Sequence, residues 1–336
     1  MYPWDEPRKN RIRWIQFAVV TLFLVIGPGV LVIMTVQPSL IKYPPTVHQL
    51  DSDRLRTHVE MLSETLAPRS YRNYSNLEKT AAYISNHFSQ AGGVISEQVY
   101  EVKGRKYRNV IATFGPETKS RLVVGAHYDS YGESPGADDN ASGIAGLIEL
   151  AYLLGKNRLD QQVELVAYTL EEPPFFRSGN MGSARHAYRL REDGIEVEAM
   201  LCLEMIGCFS DKADSQSFPS ALLGFLYPDE GNFVAVIGSM DDRKLAKQVK
   251  VSMRSATDLP VHVMCAPEGF PGLDFSDHLN YWKHGFSAVM ITDTAFMRNP
   301  RYHRQSDTSD TLDYDRMANV VLGIYEAVAH LTGDEE

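Results

Sequence analysis

Residues 123–146, VVGAHYDSYGESPGADDNASGIAG, constrain the fold more than any other stretch of this chain. An apolar run over 122–126 reads as a strand and stops at His127, Tyr128 and Asp129. A loop containing glycine and proline follows. Asp138, Asp139 and Asn140 then lead into Ile144, Leu147, Ile148, Ala151 and Leu154, apolar positions at helical spacing. Strand, polar turn and helix start is the place where α/β proteins put their chemistry, and His and Asp are residue types that hold a divalent metal. Alternate residues of an extended chain project to one side, so Asp129 is expected beside His127, accepting its second ring N–H. Asp138 and Asp139 sit where a helix dipole favours a carboxylate. The plainer reading is an ordinary N-cap and a chance H-x-D pair. The rest of the chain decides between the two.

Further strands are expected over 94–102, 108–114, 163–170, 199–203, 233–237, 261–264 and 288–292. Helices are expected over 51–66, 76–90, 241–256, 276–284 and 313–331, with Gly92-Gly93 closing the second of these. The run VELVAYTL is apolar almost throughout, as a strand covered on both faces must be. Strands alternating with helices predict an α/β fold, a central mixed, largely parallel sheet with helices on both faces. The strand ends then become informative. VELVAYTL stops at Glu171-Glu172, a costly pair behind a buried strand unless partnered. Residues 199–203 lead into Glu204, flanked by Leu203, Met205 and Ile206, and the last strand is followed by a segment containing His303. A lone His is more often structural, but in an open α/β sheet such ends converge on one crevice.

The amino terminus is different in kind. Residues 14–36 carry no charge over 23 positions, which as a helix spans about 34 Å, enough for a bilayer core. Arg8, Lys9, Arg11 and Arg13 precede it and only Lys42 follows closely. This asymmetry places residues 1–13 in the cytoplasm, 14–36 as one transmembrane helix, 37–50 as a proline-containing linker, and 51–336 outside the cytoplasm. A cleaved signal peptide would have a shorter apolar region and a small-residue cleavage site, neither of which is found. The formal net charge of -10 argues against a nucleic-acid partner. Cys202, Cys208 and Cys265 form no zinc knuckle and leave room for one disulfide with a leftover thiol.

Taken together, His127-x-Asp129, GADDNASG (136–143), Glu171-Glu172, LEMIG (203–207), SDH (276–278) and MITDTA (290–295) with its following His303 resemble the M28 family of co-catalytic zinc aminopeptidases. The likeness runs from about residue 70 to 320, in the family's order, and as a set the motifs are highly specific. It implies two zinc ions sharing one carboxylate and one water or hydroxide. Carried over by position, Asp139 is the bridge. His127 and Glu204 complete one metal, and Glu172 and His303 the other. Glu171 is then the general base and Asp129 the orienter of His127. The implied activity is that of an exopeptidase, an aminopeptidase acting on peptides; the membrane anchor expected over 14–36 lies outside the resemblance. Two departures stand out. Many members carry Asp where this chain has Glu204, and the Tyr some members use for the oxyanion is Leu273 here, which shifts that role to Tyr302.

Two other readings compete. A glutaminyl-cyclase-like enzyme would hold one zinc, and the GSARH segment (182–186) and Phe175-Phe176 fit it equally. A non-catalytic ectodomain would be expected to have lost a ligand or the base, and none is lost. Carboxypeptidase and dipeptidase activity stay open. For substrate specificity, position alone points to Phe175, Phe176 and Arg177 and to the 265–274 loop.

Overall fold

The computed structural model describes residues 48–333 and, before them, residues 11, 13, 14, 16, 17, 29, 30, 32–39, 41 and 43. Most of the tail expected over 1–13 and most of the anchor expected over 14–36 lie outside these residues. Among the described residues no helix is long and apolar enough to cross a membrane.

Eight strands form one mixed sheet: β1 (Val94–Val102), β2 (Arg105–Phe114), β3 (Ser120–His127), β4 (Gln162–Tyr168), β5 (Glu196–Glu204), β6 (Val234–Ser239), β7 (Val261–Ala266) and β8 (Ala288–Thr292). Their order is β1-β2-β4-β3-β5-β8-β6-β7. Strands β4, β3, β5 and β8 are adjacent and mutually parallel. On one flank β2 runs antiparallel to β4 and β1 antiparallel to β2. On the other, β6 runs antiparallel to β8, with β7 parallel to β6. The expectation of a largely parallel sheet therefore holds for the centre and not for the flanks. Because the four central strands share one direction, their carboxyl ends lie along one edge. Those ends are where the candidate residues were read.

Seven helices cover the sheet: α1 (Ser52–Glu60), α2 (Tyr74–Gln90), α3 (Gly143–Leu154), α4 (Gly182–Glu192), α5 (Arg243–Ala256), α6 (His278–Lys283) and α7 (Tyr314–Leu331) among the described residues. Side-chain alternation along each strand divides the core in two. Leu122, Val124 and Ala126 of β3 pack with Leu165, Leu201, Leu203 and helices α1, α2, α3, α5 and α7. Val123, Val166, Met200 and Cys202 face the other way, against α4 and α6. Gly125 belongs to that second face, where a Cβ would overlap the ring of Tyr168. Helix α4 was not anticipated. Its buried face is Gly182, Ser183, His186, Ala187 and Leu190, small or polar at most positions, so no apolar period announces it. Helix α7 opens at Asp313, whose side chain accepts the N–H of Arg316, an N-cap supplied by the 307–313 aspartate stretch. The three cysteines are free and buried, so the disulfide that their number allowed does not form.

Candidate metal centre

The crevice at the ends of β3, β4, β5 and β8 gathers the residues singled out from the sequence. His127 closes β3 and Glu204 closes β5. Glu171 and Glu172 follow β4, His303 lies in the segment after β8, and Asp139 stands just ahead of α3 in a non-helical conformation. His127 Nε2 lies 3.4 Å from Asp139 Oδ1 and 3.4 Å from Glu204 Oε2. His303 Nε2 lies 3.1 Å from Asp139 Oδ2 and 3.3 Å from Glu172 Oε2. The two oxygens of Asp139 thus face two different histidines, and two ligand groups share that one carboxylate.

These spacings suit a metal. Donors about 2.0–2.1 Å from a tetrahedral zinc stand about 3.3–3.4 Å from one another. The buried atoms His303 Nε2 and Glu172 Oε1 have no hydrogen-bond partner in the protein, a cost that a cation would remove. Two imidazoles and three carboxylates are a nitrogen and oxygen set appropriate to zinc. Without a cation the charges strain one another. Burial, and next the negative charge of Asp139, raise Glu172 to about 8. Burial would also raise Asp139, but the close approach of the His127 and His303 rings outweighs it and holds that carboxyl below the usual range. Burial opposes the charged form of His303, yet the nearby Asp139 and Glu172 carboxylates lift it to about 10.

The His127–Asp129 pair at the end of β3 differs from expectation in one respect. The second ring nitrogen of His127, Nδ1, lies 3.0 Å from the backbone carbonyl of Asp129, while the Asp129 carboxylate stands off at 3.6 Å. That carboxylate instead accepts the backbone N–H groups of Glu171 and Glu172, at 3.1 Å each. Asp129 therefore supports His127 through its main chain and fixes the glutamate pair through its side chain. Glu171 makes no side-chain hydrogen bond among the described residues, and burial, then the neighbouring Glu172 and Glu204 charges, raise its pKa against the opposing pull of His127. Tyr302 packs on Phe296 and on His303. Burial raises its hydroxyl, with Asp139, Glu172, Glu204 and Glu171 adding to the effect, which puts that hydroxyl in the field of the whole carboxylate cluster. Leu273 is fully buried in the second core face.

Four supporting residues escaped sequence reading. Arg69 is fully buried and donates to the carbonyls of Leu62, Tyr128, Pro135 and Gly136, fastening the loop between His127 and Asp139. Asn140 donates to Leu203 O and accepts from the N–H groups of Gly143 and Met205, tying the start of α3 to the end of β5. Asp307 accepts the N–H groups of Asp138 and Asp139. Ser276 donates to Glu204 Oε2 at 2.6 Å. Ser276 lies inside the SDH motif and Asn140 inside GADDNASG, though neither motif announces the contact; Arg69 and Asp307 lie in none of the quoted motifs. His278 of that motif is structural, fully buried with Nε2 donating to Leu273 O.

An apolar cavity of about 80 Å³ opens beside Glu204 and Tyr302. One water needs about 10–15 Å³ of such space, so a side chain is the natural occupant. Its walls include Phe218, Tyr227 and Phe233 from the excursion between β5 and β6, and Phe275 and Phe296. Pro271 and Gly272 of the 265–274 loop line it as well. Phe175, Phe176 and Arg177 do not; Phe176 packs edge-on against Phe275, and Arg177 is paired with Asp274.

The profile of Peptidase family M28 matches residues 109–328. The uncharacterized protein YfbL of Escherichia coli is 44% identical over 318 residues, covering 92% of this chain and 97% of its own. A probable leucine aminopeptidase of Arthroderma otae is 27% identical over 309 residues, covering 85% and 74%. Among solved structures, BSAP, a zinc aminopeptidase from Bacillus subtilis, superposes with a TM-score of 0.68 at 13% identity, covering 85% of this chain and 96% of its own, a likeness of fold.

Proposed function

The chain belongs to peptidase family M28, and on that premise we propose that it is a zinc-dependent exopeptidase that removes apolar amino-terminal residues from peptides. The observation that carries this reading is the pair of ligand groups sharing Asp139, with the unbonded carboxylate of Glu171 beside them. His127, Asp139 and Glu204 would hold one zinc ion, and Asp139, Glu172 and His303 a second. Zinc at these positions would polarise the scissile carbonyl and acidify water.

The remaining work falls to the chain. Glu171 takes the proton of the attacking water and returns it to the leaving amine, which explains why its side chain is not tied up by a hydrogen bond. Asp129 holds the backbone of Glu171 and Glu172 and so aims both carboxylates. The Tyr302 hydroxyl stands ready to donate to the oxygen on which negative charge develops. The cavity beside Glu204 takes the amino-terminal side chain, and the Glu204 carboxylate in its wall attracts the free α-amine. Aromatic and methionine walls favour large apolar residues.

In the same reading the enzyme is held in the membrane by residues 14–36, with residues 1–13 in the cytoplasm and the peptidase domain, 51–336, on the opposite side. The charge asymmetry around the uncharged stretch supports this. A reporter enzyme active only in the cytosol, fused after residue 50 and still working, would reverse it. The activity is tested with aminoacyl-amide substrates after chelation and stepwise return of zinc. Hydrolysis of leucyl and phenylalanyl amides that saturates at two equivalents is expected. Saturation at one equivalent, with pyroglutamyl formation and no peptide hydrolysis, would identify a cyclase instead.

A further inference from the structure

The two histidines of the centre are held in different ways. His127 has its second nitrogen hydrogen-bonded to the Asp129 carbonyl. His303 has no such bond among the described residues, although metal-ligating histidines nearly always use that nitrogen to fix the ring. What surrounds the His303 ring is aromatic. Tyr131 stacks on it with centroids 4.0 Å apart and planes 1° from parallel. Tyr302 stacks on it at 3.7 Å and 19°. Two rings so close and so nearly parallel cannot share one face, so the imidazole is sandwiched. The Tyr131 side of the sandwich is itself anchored. Ser134 N–H donates to the Tyr131 carbonyl, and Ser134 Oγ donates to the carbonyl of Arg304, the residue after His303. Ser130 Oγ, which donates to the Ser134 carbonyl, also accepts the N–H of the buried Arg69.

We infer that Tyr131 is a positioning residue for the Asp139–Glu172–His303 metal site, its ring face replacing the hydrogen bond that would otherwise set the His303 imidazole. This rests on the two-metal reading. A sandwiched ring keeps its plane but can slide within it, so this site depends on Tyr131 while the His127 site does not. Stacked aromatic pairs and lost support of a ligating histidine overlap at about a tenfold effect on metal affinity.

The test is zinc competition against a chromophoric chelator on the full chain, comparing wild type with Tyr131→Ala, Tyr131→Phe and His303→Ala. Tyr131→Ala should weaken one of two zinc affinities about tenfold, the same one that His303→Ala lowers most, and leave the other unchanged. Tyr131→Phe should restore wild-type binding because the ring face remains. Unchanged affinities in Tyr131→Ala, or equal losses at both sites, would overturn the inference, as would a Tyr131→Phe chain as weak as Tyr131→Ala. A wild-type chain that binds fewer than two zinc ions would refute the two-metal reading itself. The melting temperature of each metal-free variant separates a local loss from a folding defect.

Discussion

Replacing Arg69 by Met removes the clasp on the loop between His127 and Asp139 while keeping most of the side-chain volume. Four carbonyls lose a charged donor: Leu62, Tyr128, Pro135 and Gly136. Hydrogen bonds to charged groups contribute about 1.5–3 kcal/mol each, which summed naively gives about 6–12 kcal/mol. Two effects reduce this. The buried guanidinium no longer has to be desolvated, a penalty visible in its pKa, lowered to about 10 mainly by burial. Losses within one network are also not additive. A net loss of about 3–5 kcal/mol results, the range found when one partner of a buried charged network is removed. At about 2–4 °C per kcal/mol for a chain of this class, the melting temperature of the metal-free protein should fall by about 6–20 °C. The assay is thermal unfolding of the apo protein followed by circular dichroism, with zinc titration below the transition. Both zinc affinities should drop, since His127 and Asp139 flank the loop and Asp139 serves both groups. A melting temperature within 2 °C of wild type, with both affinities intact, would refute the reasoning.

Other outcomes follow from particular contacts. Asp139→Ala should abolish binding of both zinc ions, whereas Glu204→Ala should weaken one, as read by metal content after dialysis. Ser276→Ala frees Glu204 Oε2 from its 2.6 Å bond and should weaken the His127 site about 10–100-fold in zinc competition, leaving the His303 site alone. Gly125→Ala places a methyl group against the Tyr168 ring and should cost about 1–3 kcal/mol in urea unfolding. His278 is held neutral, its pKa lowered to about 4 by burial against the pull of its Leu273 bond. The unfolded chain takes up this proton near pH 6.5 and the folded chain does not. Stability from His278 is therefore present above about pH 6.5 and is lost as pH falls towards 4, at no more than about 1.4 kcal/mol per pH unit. Unfolding free energies at pH 7 and pH 5 should converge for His278→Gln and diverge for wild type.

The sequence made the strands legible because a buried parallel strand has to be apolar along its length, and β8 was read with its observed limits, Ala288–Thr292. The five candidate ligands were legible only in part from pattern: His127, Glu172 and Glu204 end or closely follow buried strands, whereas Asp139 precedes α3 and His303 lies well past β8. Their grouping around two ions came with the resemblance to the M28 family. What stayed hidden depends on contacts distant in sequence. Helix α4 buries Ser183 and His186, so its pattern looks polar. Arg69, Asn140 and Asp307 act on backbone groups far along the chain, and no local period records that. Part of the apolar cavity's wall comes from the irregular excursion after β5, where side-chain direction cannot be inferred from spacing. Asp129 shows how close a local argument can come. It sits beside His127 as alternation requires, but its carboxylate accepts the N–H groups of Glu171 and Glu172, just past the end of the neighbouring strand β4.

The central claim is that Glu171 carries the proton while its neighbour Glu172 holds metal, and one comparison tests it. Glu171→Gln and Glu172→Gln are each assayed for zinc content, KM and kcat on leucyl amide. The amide keeps the shape of the carboxylate but cannot accept the proton. Glu171→Gln should therefore retain two zinc ions and a nearly unchanged KM while kcat falls by about 10³–10⁴, the upper part of the range for a positioned acid–base group. Glu172→Gln should instead lose affinity for one zinc, because a neutral amide oxygen is a poorer ligand. Zinc loss in Glu171→Gln with full retention in Glu172→Gln, or near-wild-type turnover in both, would contradict the account.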